Sequence, residues 1–595
     1  MTQPVNLATL NANKNSPKFL NPFDTHGVFD GVAPYTLIEL SMMKVLETIK
    51  DKPNWYEKIK DKKIRNKWRT ELSSQNALNH ESQLRYVFDE LLYYSNLSSR
   101  QLSPASVDGV WMSDHIIDEA IRQRLFDLVG LLEVTCTDFH PGSNEQMLDL
   151  IHPHMYLYVN GLSKEVSDEN LPWTQFIGGG SVVQRASRVY FSKHCDYNEY
   201  EYVDIMTSAT YQWLPSEVQV SDDGKCKFLS YINNLHPRQH AELYGVLEQV
   251  LERFIPLFNQ VLTDLAYVPL SIYYGYTYAH GDNLVDHVNI RDRRHKPDLC
   301  SEELWLQGDS SAPSASSPAS GAEEGDEEDD DDDEDDEDGM YNRHWDDWDY
   351  FEAHKELDPY YKVIPPFQPP APVDPVDLKG SRLQVIVKLA NIYLTPEKPE
   401  YSGGTWHIEG MKNECIVASG IHYWHSENIT ESKLSFRTSV TAPGYQQNDN
   451  RAVSEIYGLI DAGPLIQDIG SVTCFQGRSL AWPNILQHKV EGFHLEDPTK
   501  PGVRKILVFF LVDPGLRILS TAHIPPQQQA WMELEIDKIF TNFPSEVRAL
   551  IMQYAWHFPH ERALQVRDEV MTERKYFTEQ NTETVFLRAF SLCEH

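Results

Sequence analysis

His488-Lys489-Val490-Glu491-Gly492-Phe493-His494-Leu495, the turn Asp497-Pro498-Thr499-Lys500-Pro501-Gly502, and Arg504-Lys505-Ile506-Leu507-Val508-Phe509-Phe510-Leu511-Val512 decide how the second half of this chain folds. Two runs of apolar, aromatic and β-branched residues flank a segment of Pro, Gly and Asp, which is the signature of two strands joined by a turn. Paired as a hairpin, they would return Arg504 to the neighbourhood of His488. Upstream, Leu383 to Leu394 alternates, with Leu383, Val385, Val387 and Leu389 on one face and Gln384 and Lys388 on the other. Glu414–Ser419, Leu434–Val440 and Gly470–Phe475 are further strand candidates, most of them bounded by turn residues. Short strands at this spacing predict an antiparallel sandwich or jelly roll.

Outside this region the period changes. Tyr35–Ile49 places Ile38, Met42, Val45 and Ile49 on one helical face, and Ile116–Leu132 repeats the pattern. After Asn234-Leu235-His236-Pro237, the residues Leu243, Leu247, Val250, Leu251 and Phe254 line a third helix, which Pro256 is expected to stop. Strand-like pieces at Gln212–Leu214, Phe228–Ile232 and Ile272–Tyr278 lie among these helices. Beyond Pro525 come helical stretches at Met532–Phe540, Ser545–Tyr554 and Glu561–Phe577. The expected class is α+β. A flexible arm occupies residues 1–34, a helix-rich region 35–300, an acidic insertion 301–345, the β-rich core 346–524 and a helical extension 525–595.

The formal charge of −37 is concentrated: Glu323, Glu324 and the run from Asp326 to Asp338 supply 15 acidic groups, leaving −22 for the rest. Like charges without apolar side chains cannot offset the entropy of ordering, so the insertion is expected to be disordered. An acidic balance disfavours broad binding to nucleic acid, which needs Lys and Arg to displace counterions. The basic cluster Lys58–Arg69 is expected to be a solvated helix face. Seven scattered cysteines without a C-x-x-C pair point to reduced thiols, and no signal sequence or run of membrane-spanning length is evident. An intracellular protein, cytoplasmic or nuclear and without a membrane partner, is the expectation.

The chemistry concentrates at Gly403-Gly404-Thr405-Trp406-His407-Ile408-Glu409-Gly410. In an extended segment His407 and Glu409 point to one side, and with His488 they make the two-histidine, one-carboxylate set that holds non-haem Fe(II) with open positions. His-x-Glu alone is also met by hydrogen-bonded core histidines. Arg504 adds a guanidinium able to pair bidentately with a carboxylate. By contrast, His422, His425 and Arg437 are better explained structurally, and His152, His154 and His236, each beside a proline, as loop or cap residues.

The order His-x-(Asp/Glu), distant His, strand with Arg resembles the double-stranded β-helix of Fe(II)/2-oxoglutarate-dependent oxygenases. With Glu427-Asn428-Ile429-Thr430 and Ser230-Tyr231-Ile232-Asn233-Asn234-Leu235-His236-Pro237, the 403–410 motif is similar to a mainly fungal family labelled domain of unknown function 4246. The resemblance implies that His407, Glu409 and His488 hold iron and that Arg504 anchors 2-oxoglutarate. It further implies oxidation of an unidentified small-molecule or protein substrate, with release of succinate and carbon dioxide. Asn391 and Tyr393, which share a strand face, are candidates to hydrogen-bond the cosubstrate. Glu409 departs from the more frequent Asp of these oxygenases. Two other readings stand beside this one: a catalytically silent β-sandwich scaffold, and a cupin-type metal dioxygenase with no need of Arg504.

Overall fold

The computed structural model describes, in the main, residues 34–97 (apart from 76 and 79), 102–166, 179–185, 206–266, 366–369, 374–443, 450–554 and 558–591, with a few isolated positions besides. Most of the N-terminal arm, the Ile272–Tyr278 run and the acidic insertion lie outside the described residues.

Helix α1 (Leu37–Lys50) begins at a capping box in which Thr36 and Glu39 satisfy each other's backbone N–H groups. In α2 (Lys62–Ser74) the basic cluster behaves as a solvated face: Lys62, Lys63 and Lys67 are exposed while Trp68 and Leu72 are buried. Helices α3 (Glu81–Leu97) and α4 (Glu119–Glu133) follow. The long α5 (Ala241–Ala266) corrects one expectation, because it runs straight through Pro256. Pro256 lies on the exposed side, whereas Phe254, Leu257, Phe258 and Val261 around it are buried. Burying four large side chains at roughly 1.5–3 kcal/mol each exceeds the ~3 kcal/mol cost of an interior proline. The C-terminal helices are α6 (Gln529–Ile539), α7 (Ser545–Tyr554) and α8 (His560–Asn581).

The strands of the two larger sheets are β1 (Ser103–Pro104), β2 (Trp111–Ser113), β3 (Met147–Ile151), β4 (Ser216–Val220), β5 (Cys226–Phe228), β6 (Arg382–Leu394), β7 (Ile416–Glu427), β8 (Ser432–Ser439), β9 (Ile466–Cys474), β10 (Ser479–Pro483), β11 (Gln487–Val490) and β12 (Gly502–Val512). Nine form one antiparallel sheet in the order β5-β4-β6-β12-β7-β10-β2-β1, with β3 also paired to β6. Three more form a second antiparallel sheet, β9-β8-β11. Side chains of the two sheets meet: Phe436 of β8 and His488 of β11 both pack against Trp482 of β10. The other face of the large sheet carries α5, which seats so closely that a Cβ on Gly420 would lie 2.7 Å from the Phe254 ring.

The expected hairpin between His488 and Arg504 does not form. β11 belongs to the three-stranded sheet, whereas β12 pairs with β6 and β7 in the centre of the large one. The apolar run Ile506–Val512 is suited to a central strand with both faces covered, and both of its edges are already taken. The turn after Asp497 therefore carries the chain from one sheet to the other. Asn428, at a left-handed φ of 49°, clamps it: its Nδ2 donates to the carbonyls of Asp497, Lys500 and Pro501, and its Oδ1 accepts from Asp497 N–H.

Candidate metal centre and its surroundings

His407 and His488 are brought together by backbone pairing. His407 N–H donates to the His488 carbonyl (3.2 Å) and His488 N–H donates back (2.9 Å), so the two residues sit directly opposite each other. Their rings stand 4.4 Å apart. This approach needs Gly403, which has φ +91° and whose Cβ would lie 2.7 Å from the Val490 carbonyl oxygen. Gly404 N–H also donates to the Val490 carbonyl of β11 (2.9 Å), and the chain bends at Glu409. Buried Asn484 fixes the bend: its Oδ1 accepts from Glu409 N–H, and its Nδ2 donates to the Glu409 and Ile416 carbonyls.

The three candidate ligand atoms lie within 4.8 Å of one another. Glu409 Oε1 is 3.7 Å from His407 Nε2 and 3.3 Å from His488 Nε2. Neighbouring ligands at about 2.0–2.2 Å from one ion stand about 3 Å apart, so a small inward movement closes the set. His407 Nδ1 donates to the Thr405 carbonyl at 2.7 Å, which leaves Nε2 facing Glu409. Burial pushes the Glu409 carboxyl up, but the interactions with His407 and His488 outweigh it and hold the group well below the usual carboxylate range. His488 is kept neutral by burial and by the neighbouring His407. Burial pushes His407 down, but the Glu409 carboxylate and the Thr405 carbonyl outweigh it and raise the imidazole above its usual range, so a divalent cation, which requires neutral imidazoles, would displace that proton.

Arg504 lies 2% exposed, and none of its three guanidinium nitrogens makes a hydrogen bond. Its charge stands over the rings of Tyr423 (4.8 Å) and Phe493 (5.5 Å), near the Cys474 thiol of the opposite sheet. Burial pushes both the Tyr423 phenol and the Cys474 thiol up, with Arg504 opposing, so neither supplies a counter-charge at neutral pH. Tyr423 Oη and Ser432 Oγ are likewise buried and unpaired. An uncompensated buried guanidinium costs several kcal/mol, roughly 3–5 when a partner has been removed, and the residues present fit an anion as its missing partner.

Asn391 and Tyr393 do share a strand face, but it is the face opposite to Arg504. Arg504 is paired across the strands with Ile392, so residues 391 and 393 point the other way. Asn391 Nδ2 donates to Glu133 of α4 and to the Tyr393 hydroxyl, and Lys505 Nζ bonds the same Glu133. Their hydrogen bonds serve the packing of α4.

His422 and His425 both lie on β7. Buried His422 meets Ser479 Oγ through Nδ1 at 3.0 Å. Arg437 bonds Gln487 Oε1 and covers the Trp406 ring. His236 accepts from the N–H groups of Arg238 and Gln239 ahead of α5, the cap-like role expected. His140, Asp149 and His152 form a second close group, with His140 Nδ1 2.8 Å from Asp149 Oδ2. His152 Nδ1 accepts from His154 N–H, which leaves the proton of the neutral ring on Nε2. His154, read from the sequence as a loop or cap residue, has both ring nitrogens buried and unpartnered. Its loop is held by Asn233 and Asn234, whose side-chain amides donate to the carbonyls of His152 and Met155.

Among the described residues no helix is long and apolar enough to cross a membrane, and Cys136, Cys226, Cys415 and Cys474 are free thiols. No curated protein matches the chain. A crystal structure of IDO from Bacillus thuringiensis is similar at 10% identity, with a TM-score of 0.14, over 29% of this chain and 56% of that one. The Fe(II)/α-ketoglutarate-dependent dioxygenase TqaL is similar at 14% identity and a TM-score of 0.15, over 26% and 49%. A nickel complex of the non-haem monooxygenase ThoJ is similar at 12% and 0.15, over 33% and 67%. The chain thus spans about half the length of the first two of these structures. The sequence profile described as protein of unknown function DUF4246 matches residues 81–535, and its N-terminal companion domain matches residues 2–71. The chain belongs to the DUF4246 family.

Proposed function

We propose that this protein is an Fe(II)/2-oxoglutarate-dependent oxygenase built on a double-stranded β-helix, acting on an unidentified substrate with release of succinate and carbon dioxide. The observation that carries the reading is Arg504: a buried, unpaired guanidinium between two sheets that also enclose a two-histidine, one-carboxylate set. Two antiparallel sheets support it, with β6-β12-β7-β10 in one, β9-β8-β11 in the other and His407 bridged to β11, as a core of that kind would need.

In this reading His407, Glu409 and His488 hold the iron, which when bound supplies the activation of oxygen that no side chain can provide. Thr405 and Asn484 orient two of the ligands. Arg504 takes the far carboxylate of the cosubstrate, while Tyr423 and Ser432 offer hydroxyls to the same group. The apolar walls given by Trp482, Phe436 and Phe493 exclude water from the space between the sheets.

Anaerobic titration with Fe(II) and 2-oxoglutarate tests the proposal through the weak visible charge-transfer band of the chelate. Absence of the band, together with no succinate formed in air, sinks it. Arg504→Ala is expected to weaken 2-oxoglutarate binding with iron binding retained, and His407→Ala to abolish iron binding. Unchanged cosubstrate affinity in Arg504→Ala would remove the anchor assignment.

A further inference from the structure

Residues that alternate with the three candidate ligands should face outward from the small sheet, yet they are buried. Ile408, between His407 and Glu409, is 8% exposed, and Gln487, beside His488, is 1% exposed. The C-terminal segment covers both. Beyond α8 the chain makes a single π-turn, Thr582–Phe586, closed by a hydrogen bond from Leu587 N–H to the Thr582 carbonyl at 2.6 Å. Gln487 Nε2 donates to Thr582 Oγ1 at 3.2 Å. Phe586 is fully buried in one apolar cluster with Ile408, Met411 and Phe577. One turn therefore reaches both segments that carry ligands.

The turn is itself fixed at both ends. Ahead of it, Arg574 of α8 pairs with Glu414, whose Oε2 accepts from Met411 N–H at 2.6 Å. After it, the Arg588 carbonyl accepts from Leu465 N–H at 2.8 Å, and Phe590 exchanges backbone hydrogen bonds with Ala462 and Gly463 ahead of β9. Gln487 is also held from β8, where Arg437 Nε donates to its Oε1 at 2.7 Å. Single π-turns are rare and are found frequently at functional sites. Backbone hydrogen bonds at residues 404, 407, 488 and 490 join the two ligand-bearing segments, and the chain bends away at Glu409. A ladder this short leaves either segment free to tilt about it, which would change the distances among the three ligands. Asn484 fixes the Glu409 backbone, and the turn supports the neighbouring Ile408 and Gln487 side chains.

We propose that the Thr582–Phe586 turn is a positioning element of the metal centre. Thr582 fixes the β11 ligand strand through Gln487, and Phe586 fixes the 407–409 segment through Ile408, so affinity for a divalent cation depends on how the C-terminal segment is seated. The inference rests on the part of the oxygenase reading in which His407, Glu409 and His488 hold an ion, and not on the cosubstrate. Residues that orient ligands set metal affinity by about 10- to 100-fold, and the turn acts through one further side chain, so about tenfold is expected.

Titration of the metal-free, full-length protein with Mn(II), followed by the electron paramagnetic resonance signal of the free ion, tests this without 2-oxoglutarate or turnover. His407→Ala sets the background. Thr582→Val, which removes the hydroxyl at nearly constant shape, and Phe586→Ala should each weaken Mn(II) binding by about tenfold. Thr582→Ser and Phe586→Leu should stay close to the wild type. Val570→Ala trims a buried side chain of α8 in a different apolar cluster, and should lower the urea midpoint with Mn(II) affinity unchanged. Unchanged affinity in either Thr582→Val or Phe586→Ala overturns the proposal, as does a loss in Thr582→Ser equal to that in Thr582→Val. Equal weakening in Val570→Ala also overturns it, by tracing the effect to overall stability. Should Phe586→Ala fail to fold, Thr582→Val decides the question. Wild-type binding no stronger than the His407→Ala background sinks the metal reading and the positioning role together. Clear wild-type binding with insensitive turn variants sinks the positioning role alone.

Discussion

Arg504 should have opposite effects on stability and on the proposed binding of 2-oxoglutarate. In the ligand-free protein its buried guanidinium has no partner, so Arg504→Met should stabilise the fold by roughly 1–4 kcal/mol in urea unfolding. The same variant should lose any upward shift of the midpoint on adding 2-oxoglutarate, since a ligand stabilises only the state it binds. A second residue-scale prediction concerns His422, which burial holds down to about 3, with the Arg478 backbone opposing and the Arg122 charge adding. Its folded pKa lies below the unfolded value, so the unfolded chain takes up the extra proton. Stability from this group is full above pH ~6.5 and falls as the pH drops towards 3, by up to ~1.4 kcal/mol per unit. His422→Gln should flatten the urea-midpoint slope of the metal-free protein between about pH 6 and pH 5 by that amount. Not all of this was open to reading. His407, Glu409 and His488 could be picked out as a candidate because a metal set is defined by residue type, and the structure brings the three together, whereas the side of β6 facing them could not be read. Both of its faces are buried, so alternation places Asn391 with Tyr393 without saying which sheet face they share.

At the level of elements, two glycines offer a controlled comparison. Gly403→Ala forces a side chain into a left-handed backbone and against the Val490 carbonyl, and Gly420→Ala pushes into the Phe254 and Phe258 rings of α5. Each should cost roughly 1–3 kcal/mol by strain or overpacking. Only Gly403→Ala should also weaken metal binding, because it parts His407 from His488; a metal titration of both variants separates the effects. Equal metal affinity in the two would mean that the reciprocal backbone pairing does not position the ligands. Strands and the C-terminal helices were legible from their periods, and Ser545–Tyr554 was located to its ends. The hairpin and the helix stop at Pro256 were misread for one reason. Each was judged from local turn chemistry, while sheet membership and burial against distant strands decided the outcome.

Over the whole molecule, buried Glu414 ties distant segments together. It accepts from Trp213 N–H and Met411 N–H and pairs with Arg574 of α8, so one carboxylate joins the histidine-loop neighbourhood, the metal-ligand segment and the C-terminal helix. Glu414→Gln leaves Arg574 uncompensated and should cost about 3–5 kcal/mol in urea unfolding. Loss of less than 1 kcal/mol would show that α8 is held by its apolar contacts alone. This long-range bookkeeping was invisible in the sequence, where Glu414 and Arg574 are unremarkable charges in different regions.

The crossing between the sheets has a last consequence. His407, Glu409 and His488 are held on the side of the three-stranded sheet, and Arg504 is held by the large one, with Phe436, Trp482 and Tyr423 filling the layer between them. On the proposed reading, the separation of the two sheets would gauge ligand length. Core substitutions that thin or thicken that layer would change which diacid fits, four, five or six carbons long, while leaving the metal ligands in their own relative positions.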